Sequence, residues 1–72
     1  MNDVIIRHSE TGYYLLSVYI GRNSIIAPYL FVSKSQDALV FENEETAQAT
    51  IDFISNVIDF ELAECLEIII CP

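Results

Sequence analysis

Only one stretch of this chain, from Glu44 to about Phe60, spaces its apolar residues as a helix does, and that limits the folds open to it. Ala47, Ile51, Ile54 and Ile58 recur every three or four residues, and Ala49, Phe53, Val57 and Phe60 make a second stripe beside them. Asp52, Ser55, Asn56 and Asp59 supply the polar side. Asn43 is a suitable N-cap, because its side-chain oxygen can accept from the unpaired backbone N–H groups of the first turn. Glu44 and Glu45 place negative charge at the positive end of the helix dipole. No glycine or proline closes this helix, so its end is expected between Asn56 and Ala63. An apolar arc this wide should pack on a sheet and touch something else as well.

The remaining apolar runs are short and rich in branched and aromatic residues. Val4 to His8, the turn Ser9-Glu10-Thr11-Gly12 and Tyr13 to Ile20 read as a hairpin. Alternation puts Tyr14, Leu16, Val18 and Ile20 on the better core face, and Tyr13, Leu15, Ser17 and Tyr19 on the other. After the turn Gly21-Arg22-Asn23-Ser24, the run from Ile25 to Ser33 contains Pro28. Proline cannot donate to a ladder, so this strand lies at an edge, breaks at Pro28 or starts at Tyr29. A polar connection from Ser33 to Asp37 leads to Ala38-Leu39-Val40-Phe41, a short strand or extended lead-in to the helix. Cys65 to Cys71 ends the chain as a strand so apolar that a central or interface position suits it. The expected fold is one α+β domain over residues 1–72. Its antiparallel sheet has four to five strands with one helix packed on one face, in the order β-β-β-(β)-α-β.

Seventy-two residues lie near the lower limit for a single core without a metal or disulfide framework, yet 53% of them are hydrophobic. Tyr13, Leu15, Tyr19, Phe31, Leu39 and Ile69 compete with Tyr14, Leu16, Val18, Leu30, Val32 and Ile70 for one sheltered face. Leaving the losing set in water forfeits about 1.5 to 3 kcal/mol per large side chain relative to burial. A homodimer is therefore expected, with Tyr13, Leu15, Tyr19 and Phe31 in its interface and the acidic helices outward. The first residues do not form a signal peptide and no apolar run approaches a membrane span, so a cytoplasmic location without membrane contact is expected.

Charge is divided unevenly. In the first 36 positions Arg7, Arg22 and Lys34 face only Asp3 and Glu10, a net of +1, whereas the other 36 carry nine acids and no base, for −8 in all. Such a field repels phosphate backbones and attracts basic surfaces, which argues against direct nucleic-acid binding and points to a protein partner or to solubility alone. The candidate partner-binding face is Glu42, Glu44, Glu45, Asp52, Asp59 and Glu61.

Catalytic and cofactor chemistry finds little support. Acid–base work needs two carboxyls in a pocket with divergent environments, and these acids fall at a helix start and on solvent-facing helical positions. Glu42, Glu44 and Glu45 lack the alternating oxygen ligands and glycine of a calcium loop. His8 has no nucleophile or orienting group at a recognisable spacing. Gly12 and Gly21 are both used in turns, so no phosphate loop exists. Tyr13, Tyr14, Tyr19 and Tyr29 could stack bases, but no basic groove accompanies them, and a protein interface or a covering of the core suits them better. Cys65 and Cys71 lie about 20 Å apart if both are in one strand, too far for a disulfide, and read as reduced thiols. The expectation is a non-enzymatic binding protein without cofactor or metal. The alternative is a small ligand-binding or enzymatic subunit with its pocket at an oligomer interface. A pocket joining His8 to two carboxylates, or to Cys65, would mark it.

The stretch Ala-Leu-Val-Phe-Glu-Asn-Glu-Glu-Thr-Ala, residues 38–47, resembles the strand-to-helix step of small acidic phage and prophage proteins. Some proteins of that kind inhibit host defence complexes, anti-CRISPR proteins among them. The resemblance implies an inhibitor or DNA mimic whose acidic half binds a basic, nucleic-acid-handling host protein.

Overall fold

A computed structural model describes residues 3–18 and 29–71. The turn expected from Gly21 to Ser24, the role of Pro28 and the interface position of Tyr19 lie outside them. Strands β1 (Val4–His8), β2 (Tyr14–Val18), β3 (Tyr29–Val32) and β4 (Leu66–Ile70) form one antiparallel sheet in the order β3-β2-β1-β4. This is the expected α+β arrangement, and the third strand, described from Tyr29 onward, lies at one edge of the described sheet.

The β1–β2 hairpin closes through Gly12, whose φ of 77° is open to glycine at little cost. His8 ties the turn. Its backbone N–H donates to the Tyr13 carbonyl at 2.7 Å, and its Nδ1 accepts from the N–H groups of Glu10 and Thr11. Beyond the single pair Arg7–Tyr14 the segment ahead of the helix bridges the two strands. Leu39 N–H donates to the Leu15 carbonyl at 2.9 Å, while Phe41 and Val4 exchange hydrogen bonds of 2.8 and 3.0 Å. The lead-in is thus extended, with one bridge in place of a strand.

A bulge decides which face of β2 enters the core. Leu15 pairs with Phe31, Ser17 with Leu30 and Val18 with Tyr29, which leaves Leu16 as the extra residue. The insertion reverses the alternation part-way along, so Leu15 and Val18 turn to the same side. Leu15 is fully buried, with Val18, Tyr29 and Phe31 packed around it, whereas Tyr14 and Leu16 are half-buried. This corrects the face assignment from strict alternation. It also removes Leu15 from any interface and places Phe31 in the covered layer.

The helical segment comes in two pieces. Helix α1 (Glu44–Phe53) is capped by Asn43, which accepts from Thr46 N–H at 2.8 Å. Ala47 and Ile51 face the sheet, as their spacing requires. From Ile54 to Ile58 the chain widens into a π turn, ended by a bond from Asp59 N–H to the Ile54 carbonyl at 2.8 Å. Asp59 then takes an extended conformation and its carboxylate accepts from Glu61 and Leu62 N–H, opening the short helix α2 (Phe60–Glu64). The single helix of the sequence reading is therefore interrupted. The core joins Val4, Ile6, Leu15 and Phe41 of the sheet layer to Ala47, Ile51, Ile54 and Ala63 of the helical layer.

Among the described residues strand β4 pairs only with β1, in an unbroken register from Val4–Ile70 to His8–Leu66. Of the two positions its composition suggests, central or interface, the central one does not hold, since β4 is the last strand of the described sheet.

Candidate functional site

Glu44, Glu45 and Asp52 fall, at about 100° per residue, on one flank of α1 less than a third of a turn wide. All three are exposed, as are Glu42, Asp59, Glu61 and Glu64. Asn43 and Asp59 each spend a side-chain oxygen on a helix start, and Asp52 accepts from Gln48 Nε2 at 3.0 Å. Asp59 thus has a structural task beyond its charge. Among the described residues only Glu67 forms an ion pair, with Arg7 at 2.8 Å, on the sheet face away from the helices. Both side chains are 40% exposed, so the pair contributes at most about 1 kcal/mol. The exposed carboxylates of α1 and α2 keep their charge uncompensated by it.

Two large apolar side chains accompany these acids. Val57 and Phe60, on either side of Asp59, are 56% and 60% exposed. Both belong to the second apolar stripe of the sequence, which lies to the side of the buried one and leaves these two residues outside the core. Glu64 also joins the acidic set and was not among the candidates.

The groups that would support catalysis stay apart. One open depression of about 360 Å³ lies beside α1, lined by Val18, Leu39, Thr46, Ala49, Thr50 and Phe53. Another of about 390 Å³, on the opposite sheet face, touches Ile5, Tyr14, Val40 and Ile69. Neither is lined by a carboxylate or by His8. His8 Nδ1 is engaged by the turn, and its ring meets Phe31 edge-on with centroids 5.9 Å apart. The half-buried Cys65 thiol is pushed above its ordinary pKa by desolvation, then by the Glu10 carboxylate that also bonds it, and by Glu64 and Glu61. A thiol held protonated is a poor nucleophile. Among the described residues no three His, Cys, Asp or Glu side chains converge as a metal site, and no helix is long and apolar enough to cross a membrane.

Of the tyrosines, Tyr29 packs on the core and meets Phe31 edge-on at 5.7 Å, while Tyr13 is half exposed beside the hairpin turn. They do not form one stacking surface with Tyr14, whose partners lie on the other sheet face. Of the residues expected in a dimer interface, only Tyr13 is exposed among those described. No protein-family model matches this chain, and no curated protein or solved structure proved similar to it.

Proposed function

We propose that this protein is a non-enzymatic binding module that presents the acidic flank of its helices to a basic, nucleic-acid-handling surface of another protein. A phage-type inhibitor or DNA mimic would act in this way. The carrying observation is the exposed series Glu44, Glu45, Asp52, Glu61 and Glu64 with no base paired to it among the described residues. Val57 and Phe60 add apolar area beside it, and such area lets a contact outlast electrostatic encounter. Rigid helices suit the role, since fixed carboxylates cost little entropy to order on binding.

The test is capture of partners from cell extract at low and high salt, with the wild type and an E44Q/E45Q/D52N/E61Q variant. A basic nucleic-acid-handling protein is expected with the wild type at low salt. It should be lost at high salt, where the Debye length falls to a few ångströms, and lost with the variant. Capture of no basic partner, or capture indifferent to the four substitutions, refutes the reading.

A further inference from the structure

We propose that the protein forms a homodimer by pairing the outer edge of β4 with the same edge of a second copy, antiparallel, in one continuous sheet of twice four strands. The inference is independent of the acidic-face reading and rests on the backbone. At the two ends of the β1–β4 ladder, Cys71 N–H donates to the Asp3 carbonyl at 2.9 Å and Ser9 N–H to the Cys65 carbonyl at 2.7 Å. Residues of an antiparallel strand alternate between facing the partner and facing away. Cys65, Glu67, Ile69 and Cys71 therefore turn their N–H and C=O groups to β1. Leu66, Ile68 and Ile70 turn theirs outward, beyond the last of the described strands.

Side-chain burial falls toward that edge. Val4 and Ile6 on β1 are 1% and 0% exposed, yet Ile70, directly opposite Val4, is 51% exposed, and Ile68, opposite Ile6, is only half-buried. Long apolar edges are usually protected by lysine, proline or a bulge. The paired length of β4 has none of these.

A second copy fits this edge because the strand is self-complementary about Ile68. With Ile68 opposite its symmetry mate, Leu66 faces the partner's Ile70 and Ile70 the partner's Leu66. That register makes six inter-chain hydrogen bonds, two for each of three pairs, and every side-chain pair on the helix-covered face is aliphatic. Charge selects the same register. The one ionisable group in β4, Glu67, is neutralised by Arg7 of its own chain and would face the partner's Ile69. A slip that sets Leu66 opposite the partner's Ile68 forms fewer bonds and brings the two Glu67 carboxylates face to face. The two-fold axis then stands perpendicular to the sheet and keeps both helical layers on one side.

Sedimentation across micromolar concentrations, combined with residue-resolved amide exchange, tests the dimer. A species of twice the chain mass is expected. The amides of Leu66, Ile68 and Ile70 should be protected, more so as concentration rises. Adding salt should tighten the dimer by screening repulsion between two chains of charge −8, whereas it weakens an acidic-face contact. Ile70→Pro removes an outward N–H without touching the β1 ladder, and by symmetry removes two inter-chain bonds. Dissociation should be about tenfold to a hundredfold easier in that variant. One chain's mass at every concentration overturns the proposal. So does a dimer in which those three amides exchange freely, which would place its interface elsewhere.

Discussion

Ile6 is wholly buried on β1 between the helical layer and the rest of the sheet, so its truncation leaves a cavity that few neighbours can fill. Ile6→Ala is expected to cost about 2 to 5 kcal/mol in chemical denaturation. Gly12 offers a different kind of test. An added Cβ meets nothing within 4 Å, so only the positive φ resists substitution. Gly12→Ala should cost about 1 to 2 kcal/mol without changing the fold, as read by the midpoint of denaturant unfolding. Cys65 carries a third expectation. Its folded thiol stays protonated to higher pH than an unfolded one, so iodoacetamide should modify it faster after unfolding than before. By the same shift, stability falls as pH rises from the ordinary thiol range, where the unfolded chain ionises first. Reaction at equal rates in both states would contradict the assignment.

At the scale of elements, the capped start of α1 was legible because Asn43, Glu44 and Glu45 form a local signal read within one turn. The face of β2 was not. A bulge depends on how two strands register, and no residue from Tyr14 to Val18 announces that Leu16 will be left unpaired. The helix break lies between these cases, since Asp59 followed by Phe60 and Glu61 is an N-cap signal hidden inside a helical period. The edge position of β4 was also hidden, because an apolar strand looks the same whether its neighbour belongs to its own chain or another. Asp59 separates cap from charge experimentally. Asp59→Ala loses the acceptor for two N–H groups and should destabilise by about 1 kcal/mol. Asp59→Asn keeps an acceptor oxygen and should lose only a few tenths of that order. Equal losses in thermal melts would show that the cap contributes nothing.

Over the whole molecule, the fold carries a charge of −8 on a body whose Cα radius of gyration is 11.7 Å, so like charges repel throughout it. Folding gathers carboxylates that the extended chain keeps apart, and the repulsion should oppose the compact state. Adding sodium chloride from low ionic strength is therefore expected to raise the melting temperature, most steeply while the Debye length is still about 10 Å or more. The carboxylates are not equivalent in this field. Glu44 sits in the first turn of α1, where the dipole favours it, and Glu64 closes α2, where the dipole and the nearby Glu61 oppose it. Glu64→Gln should stabilise by about 0.3 to 1 kcal/mol at low salt and Glu44→Gln should destabilise by a similar amount, both effects shrinking as salt is added. If the two substitutions shift the melting temperature equally and in the same direction, net charge alone governs stability. A sign difference instead locates the repulsion at the C-terminal end of the helical layer, just ahead of β4, where removing it should favour both the fold and the pairing of two edges.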